Sequence, residues 1–304
     1  IDQGWTVLAS GRLTGGPADR IVGALVQDGE FAAMAARLGS RNAFLHHAAG
    51  RKFAEQTFAA AMALPDADAV AAGTKVLDLC LRGPIEKADT AARAVVNSAY
   101  AAYRVRVDRW LCDPANVAGA RSYTVASGDS LNGIARKFRN EGLLVDEGTI
   151  AVLNRIHNKN AIRVGQRLKV PAEPIHSVVE KRSFSLAVYV GDLLLRLYWV
   201  GHGQNDRTPV AQFEVGNKQP RPQWTAPDGN VYPYGHPQNI LGEYFITFLH
   251  PSYSGFGAHG TPMPETIGTM SSMGCIRMHA QDIAELFEIL PRGSVVEVRA
   301  SEAP

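Results

Sequence analysis

A histidine followed after a short segment by a cysteine is the pair of residues in this chain best suited to chemistry. His259 and Cys275 stand in a stretch rich in glycine, serine and methionine. A thiol is a weak nucleophile until it ionises, and a neighbouring imidazole can take its proton and later return it to a leaving amine. Gly274 lets backbone amides approach a developing oxyanion. The pair predicts cysteine acyl transfer, with a thiolate that persists well below pH 8.5 because an imidazolium lies beside it.

Four ordered blocks around this pair resemble the L,D-transpeptidase catalytic domain of bacterial cell walls. Residues 259–261 (His-Gly-Thr) and 272–277 (Ser-Met-Gly-Cys-Ile-Arg) match the catalytic motif of that family in order and spacing. Upstream, residues 208–213 (Thr-Pro-Val-Ala-Gln-Phe) and 239–244 (Asn-Ile-Leu-Gly-Glu-Tyr) match two more blocks. Met273 stands where many members have histidine, and Ala211 replaces a glycine. The resemblance covers residues 175–298.

The resemblance implies a peptidoglycan enzyme with Cys275 as nucleophile, His259 as acid and base, and the carbonyl of Gly260 as the group that orients the imidazole. Cys275 would attack the carbonyl that follows the L-centre of the third stem residue, D-alanine would leave, and an amine of a second stem would resolve the thioester into a 3→3 cross-link. The resemblance also implies acylation of Cys275 by carbapenems. Hydrolysis of the same thioester, which is L,D-carboxypeptidase activity, and a non-catalytic peptidoglycan-binding scaffold are the alternatives.

Four further residues are candidates for oxyanion or substrate binding. Gly274 permits close backbone approach, and Arg277 is a candidate for binding a substrate carboxylate or for a structural ion pair beside the cysteine. Ser272 is expected to shape the loop, and Tyr253 either lines the oxyanion pocket or packs against neighbours. Residues 183–190 and 193–200 read as a hairpin, with further strands at 212–215, 243–248 and 294–298 and a helix at 280–290. The catalytic domain is therefore expected to be mainly β over 175–300.

The segment 121–171 resembles the lysin motif (LysM) closely. Residues 123–131 (Tyr-Thr-Val-Ala-Ser-Gly-Asp-Ser-Leu), 134–135 (Ile-Ala), Asn154 and 165–171 (Gly-Gln-Arg-Leu-Lys-Val-Pro) match the family pattern. Apolar periodicity indicates strand, helix, helix, strand. The resemblance implies binding of N-acetylglucosamine-containing glycans, with a spacer role as the alternative. The expected glycan-binding residues are Gly128, Asp129, Ser130 and Ile162.

Residues 1–118 read as an all-α domain of unknown role, which leaves room for a protein partner. An apolar stripe of helical spacing runs from Ile85 to Trp110 and predicts one helix with Pro84 in its first turn. The whole chain is therefore predicted to be multidomain: an all-α domain, a small βααβ LysM domain and a mainly-β catalytic domain. Binding and chemistry are expected to separate at Pro171–Pro174.

Composition and cysteine count set the remaining expectations. A net charge of +2 over 304 residues does not favour nucleic-acid binding, and no apolar run is long enough to span a membrane. The chain begins at Ile1 rather than Met, so we expect a processed or trimmed N-terminus, with any signal peptide or anchor outside this sequence. Peptidoglycan ligands favour export to the periplasm or cell wall. In such a compartment Cys80 and Cys112 are expected to form a disulfide that leaves Cys275 free, with two buried, unbridged thiols as the alternative. No metal or cofactor is expected.

Overall fold

The computed structural model describes residues 44–300 and the helical positions 16, 17, 20, 21 and 24. The described chain divides into two compact units. The first contains the helices up to Trp110 together with residues 180–183, and the second contains Leu111–Val179 and Phe184–Arg299. The helical prediction for most of residues 1–43 lies outside the described residues.

Three helices make up the first unit: α1 (Ala48–Met62), α2 (Asp66–Arg82) and α3 (Thr90–Trp110). The prediction of one helix from Pro84 was wrong at its start, because α3 begins only at Thr90. The Asp89 side chain accepts a hydrogen bond from the Ala92 N–H at 2.9 Å, which caps the helix there. Ile85 is buried although it precedes the helix. The buried face of α3 otherwise follows the predicted stripe.

The helices approach closely where small residues allow it. A Cβ added to Gly73 in α2 would lie 2.7 Å from both the Met62 and Tyr103 side chains. Tyr103 is fully buried, and its hydroxyl lies 2.7 Å from Thr74 Oγ1, so the phenol is satisfied inside the core. The helical domain is thus held by specific packing around one tyrosine.

The LysM domain has the predicted βααβ order. Strand β1 (Ala120–Thr124) pairs antiparallel with β2 (Arg167–Pro171), and helices α4 (Leu131–Asn140) and α5 (Glu147–Leu153) lie between them in sequence. The core gathers the apolar residues of both helices and strands; its largest members are Leu131, Ile134, Phe138, Ile150 and Leu168.

The catalytic domain is built on an eight-stranded sheet. Its strands are β3 (Ile175–Glu180), β4 (Ser185–Val190), β5 (Leu193–Trp199), β7 (Ala211–Pro220), β10 (Tyr244–Leu249), β11 (Gly257–Gly260), β13 (Ile276–Met278) and β14 (Val295–Arg299). From one edge of the sheet to the other, their order is β13-β11-β10-β7-β14-β3-β4-β5. Helix α6 (Ala280–Ile289) follows β13 directly.

Two short pairs lie outside that sheet, namely β6 (His202–Gly203) with β12 (Met270–Ser272) and β8 (Trp224–Thr225) with β9 (Val231–Tyr232). The predicted hairpin, the three further strands and the helix therefore all occur, and the mainly-β expectation is confirmed.

The LysM and catalytic domains are not separate bodies on either side of Pro171–Pro174, because α5 packs on the end of α6. Thr149 Oγ1 donates to the Ile289 carbonyl at 2.9 Å, and Lys159 Nζ bridges Glu147 at 3.0 Å and Glu288 at 2.9 Å. A Cβ on Gly148 would lie 2.4 Å from the Glu288 carbonyl oxygen, so only glycine allows this approach. The two domains form one compact unit.

None of the three cysteines forms a disulfide, so the predicted Cys80–Cys112 disulfide was wrong. Cys80 belongs to the helical unit, where burial raises the pKa of its thiol to about 12, whereas Cys112 is buried in the second unit. Each thiol behaves as a small apolar core group. In the described part of the chain no helix is long and apolar enough to cross a membrane.

Candidate active site

Two adjacent parallel strands bring the predicted pair together. In β11 and β13, Ala258 pairs with Ile276 and His259 with Arg277. Cys275 immediately precedes β13 and receives a hydrogen bond from the Gly257 N–H. Residues two apart on a strand share a face. The register therefore places Arg277 on the same face as His259, and it places Cys275, two residues earlier and just before the strand begins, beside Gly257.

The imidazole of His259 is held in one tautomer. Its Nδ1 lies 2.5 Å from the Gly260 carbonyl oxygen. A carbonyl only accepts, so Nδ1 carries the proton and Nε2 keeps its lone pair. No described group hydrogen-bonds to Nε2. The Gly260 carbonyl thus stands in the orienting position that the family resemblance implies.

Burial keeps both members of the pair neutral at rest. It lowers the pKa of His259 to about 4, with the nearby Arg277 charge lowering it further and the Gly260 carbonyl opposing. Burial likewise raises the pKa of the Cys275 thiol to about 11, against the opposing effects of the Gly257 amide and Arg277. Both shifts disfavour the expected thiolate–imidazolium pair in the resting site. The thiol instead donates to the Gly255 carbonyl at 3.5 Å.

The loop before the cysteine is closed by the Ser272 hydroxyl. Ser272 Oγ donates to the Cys275 carbonyl at 2.6 Å and accepts from the Gly274 N–H at 3.0 Å. Gly274 has φ +142°, and a Cβ there would lie 2.6 Å from the Phe256 ring. Because the Gly274 amide is already engaged, Gly274 supplies shape rather than an oxyanion donor. Among the described residues nothing accepts a hydrogen bond from the Cys275 N–H.

Arg277 is a buried cation without a carboxylate partner in the described structure. The residue is 7% exposed, and among the described residues its guanidinium makes a single hydrogen bond, a long contact of 3.4 Å to Ser271 Oγ. Burial lowers the pKa of the guanidinium, while Cys275 and Glu265 act in the opposite direction. Among the described residues no carboxylate forms the predicted ion pair with Arg277. A buried guanidinium left in this state is suited to an incoming anion.

Tyr253 belongs to a cluster of aromatic rings. Its ring packs beside His250 at 4.7 Å and against Phe213 and Phe256 at 6.2 and 6.3 Å between centroids. This aromatic cluster holds the loop whose Gly255 carbonyl meets the thiol. The packing alternative describes the position of Tyr253 in this structure.

The four residues expected to bind glycan all have structural roles in the LysM domain. Asp129 accepts from the Tyr123 hydroxyl at 2.8 Å and the Ala126 N–H at 2.7 Å, and Ser130 caps α4 by accepting from the Gly133 N–H. Gly128 has φ +87°, which its turn requires, and Ile162 packs on the domain core. These roles leave the backbone of the turn accessible.

A cleft of about 520 Å³ opens beside these residues. It is lined by the start of α4, the first residue of α5 and the segment after α5, namely Ser130, Leu131, Asn132, Glu147, His157, Asn158, Lys159 and Asn160. Asn132 and Asn160 are exposed, and their side-chain amides make no hydrogen bond in the described structure. Sequence reasoning missed them because they lie between the motif positions, where no pattern marks them.

A cysteine just before one strand and a tautomer-locked histidine on the neighbouring strand form the candidate active site, and comparison with known proteins identifies the family of the chain. The family model of the YkuD L,D-transpeptidase catalytic domain matches residues 174–298, and that of the LysM domain matches 123–171. YkuD of Bacillus subtilis, a relative that is named as an L,D-transpeptidase, is 30% identical to this chain over 185 residues. The match covers 58% of this chain and 98% of that protein. This chain belongs to the L,D-transpeptidase family and is an enzyme of that class.

Other relatives carry the same family name. YqjB of Bacillus subtilis is 34% identical over 130 residues, which cover 42% of this chain and 72% of that protein. A solved L,D-transpeptidase from Mycobacterium smegmatis is 18% identical with a TM-score of 0.36, covering 45% of this chain and 65% of that one. Between residues 44 and 300 no cluster of three or more His, Cys, Asp or Glu side chains is arranged to hold a metal ion.

Proposed function

We propose that this enzyme forms 3→3 cross-links between peptidoglycan stem peptides through a thioester on Cys275. The observation that carries the proposal is the His259 imidazole, whose Nδ1 proton is fixed by the Gly260 carbonyl. Its Nε2 has no hydrogen-bond partner among the described residues, and its strand pairs with the strand that directly follows Cys275. A neutral imidazole with a free Nε2 is a general base for a neutral thiol. The pair needs no preformed ions.

In the acylation step, Cys275 Sγ bonds to the carbonyl carbon after the L-centre of the third stem residue while its proton passes to His259 Nε2. The tetrahedral oxyanion then collapses, the bond to D-alanine breaks, and His259 returns the proton to the leaving amine. Arg277 is positioned to hold a substrate carboxylate, since its buried charge has no carboxylate partner in the described structure.

In the second step an amine of another stem attacks the thioester. His259 takes the amine proton and delivers it to the departing sulfur, which leaves a new amide and the free thiol. Water in place of the amine gives a tripeptide instead. The same residues serve both outcomes, so the acceptor decides between transferase and carboxypeptidase.

The decisive experiment is to incubate the enzyme with tetrapeptide-bearing muropeptides and to weigh the products. We expect cross-linked dimers and released D-alanine from the wild type, and neither from Cys275→Ala. Tripeptides without dimers would replace the transferase proposal by the carboxypeptidase. Products from the Cys275→Ala enzyme would overturn the nucleophile itself.

We further infer that the LysM domain holds the enzyme on peptidoglycan glycan strands, outside the cytoplasm in the periplasm or wall. The exposed Asn132 and Asn160 amides in the LysM cleft are free to hydrogen-bond acetamido and hydroxyl groups. Cosedimentation with insoluble peptidoglycan tests this with the whole chain. A protein that stays in the supernatant would favour the spacer interpretation.

A further inference from the structure

The connection between β5 and β7 lies along the side of β13 that faces away from β11. Gly201 and Arg277 exchange two backbone hydrogen bonds, with N–O distances of 2.9 and 2.8 Å. Beyond Gly203 the chain turns sharply through Asn205 and Asp206, which have φ of +50° and +59°. Asn and Asp tolerate this left-handed region better than other side chains. The turn brings the chain back to residues 272–275, the nucleophile loop.

Thr208, which lies just after this turn, is wedged between two backbone segments. Its Oγ1 accepts from the Gly203 N–H at 2.8 Å and donates to the Gly274 carbonyl at 2.7 Å. The residue is 3% exposed. A Cβ on Gly203 would lie 2.7 Å from the Thr208 N and 3.0 Å from the Gly274 Cα, so the contact depends on a glycine there. One hydroxyl therefore fixes the carbonyl immediately before the cysteine.

Fixing that carbonyl also fixes the amide on the other side of the same peptide bond. In a trans peptide the C=O and the following N–H point in opposite directions, and no described peptide bond is cis. With the Gly274 oxygen held by Thr208, the Cys275 N–H points away from Thr208. No described group accepts from that N–H. An unengaged amide on the nucleophilic residue is the usual kind of oxyanion donor in acyl transfer.

We propose that Thr208 is a positioning residue that aims the Cys275 amide at the substrate oxyanion. The proposal rests on the proposed role of Cys275 as nucleophile. Thr208 touches neither the sulfur nor the imidazole in the hydrogen bonds described. Its effect is expected only on steps in which a carbonyl oxygen gains negative charge.

The test compares two reactions of the same sulfur in the whole chain. Acylation by imipenem converts a carbonyl into a tetrahedral oxyanion, whereas alkylation by iodoacetamide displaces iodide from carbon and forms none. Thr208→Val should slow imipenem acylation by about tenfold to a hundredfold, as expected for a misaligned oxyanion donor. Its iodoacetamide rate and the pH dependence of that rate should stay within roughly twofold of wild type. Thr208→Ser, which keeps the hydroxyl, should retain acylation.

Several results would overturn the proposal. Equal slowing of acylation and alkylation in Thr208→Val would show a general loss of structure at the loop, and wild-type acylation would show that the hydroxyl does not matter. Slow acylation in Thr208→Ser, which keeps the hydroxyl, would show that the two hydrogen bonds of this hydroxyl do not sustain the reaction. Cys275→Ala is run alongside: an imipenem adduct on that variant would refute the nucleophile assignment instead, so the two failures are distinguishable.

Discussion

The nucleophile loop and the turn at residues 128–130, beside the LysM cleft, are both marked by specific sequence motifs, but the motif residues serve different purposes. Around Cys275 the motif residues contact segments that are distant in sequence, as Thr208 does with Gly274 and Cys275 with Gly255. In the LysM domain, Asp129 and Ser130 bind their own backbone turn. A reaction requires particular atoms at particular places, whereas a sugar surface requires a stable turn with open polar groups beside it.

Burial separates the two regions as well. Cys275 and His259 have pKa values displaced by loss of water, and Arg277 is buried beside them. Asn132 and Asn160, in the LysM cleft, are exposed. Substitutions near Cys275 should therefore change rates by orders of magnitude, and substitutions in the cleft should change affinity only modestly.

The largest effects are expected from the nucleophile and its base. Cys275→Ala should abolish the imipenem adduct and all turnover, and His259→Ala should slow acylation by about two to four orders of magnitude, the usual range for losing a positioned acid–base group. Intact-mass measurement over time follows both. Cosedimentation with peptidoglycan should be unchanged in each variant.

Cys80→Ala and Cys112→Ala are the matched controls, because both remove a buried thiol outside the catalytic domain. Each should still form the adduct. An adduct on Cys80 or Cys112 in place of Cys275 would refute the assignment.

Replacing the Arg277 guanidinium, which forms no ion pair with a described carboxylate, should have the next largest effect. Arg277→Gln removes a charge-assisted bond to a substrate carboxylate, worth about 1.5–3 kcal/mol, and should lower kcat/KM on a tetrapeptide stem by about tenfold to a hundredfold. The loss should fall mainly in KM. Iodoacetamide, which carries no carboxylate, serves as the comparison probe. If alkylation and tetrapeptide turnover fall together, Arg277 acts on the loop and not on the substrate.

The buried imidazole should also make stability depend on pH. The folded pKa of His259 is about 4, below the unfolded value near 6.5, so the unfolded state binds more protons between these values. The contribution of the neutral imidazole is complete above pH 6.5 and is lost as the pH falls toward 4. Between pH 7 and pH 5 the free energy of unfolding should drop by about 2 kcal/mol from this group.

Urea unfolding of wild type and His259→Gln at both pH values measures this difference. The variant lacks the titrating group and should lose less stability on acidification. An equal loss of unfolding free energy in both proteins would show that His259 is solvated. The candidate active site would then not differ in burial from the LysM cleft.

The smallest effects are expected in the LysM domain. Asn132→Ala and Asn160→Ala should each weaken peptidoglycan binding by about two- to tenfold, the size of one hydrogen bond. Asn140→Ala is the matched control, because Asn140 is exposed at the end of α4 and outside the cleft. Cosedimentation isotherms compare the three.

Ser130→Ala completes the contrast. It should lower the stability of the domain by about 1 kcal/mol through loss of the helix cap. If Ser130→Ala weakens binding more than Asn160→Ala at temperatures where both are folded, the motif hydroxyl contacts the glycan and the comparison fails.

Much of the fold and most of the site follow from the sequence alone. Strand alternation and turn residues predicted the β4–β5 hairpin and helix α6, and motif spacing predicted that His259, Gly260 and Cys275 share one site. These features depend on residues close together in sequence, whose periodicity and turn chemistry are local. The start of α3 was missed because the apolar stripe continues through Ile85 although the helix is capped at Asp89.

Only the tertiary structure decided the protonation of the pair, the partner of the Gly274 carbonyl and the docking of the LysM domain on α6. A pKa depends on how much water distant segments exclude, and no pattern of neighbours in sequence reports that. Thr208 and Gly274 are separated by 66 positions, and Thr149 and Ile289 by 140. Motif spacing reveals which residues carry the chemistry, but long-range packing determines which amide is open, which charge is unpaired and which proton stays in place.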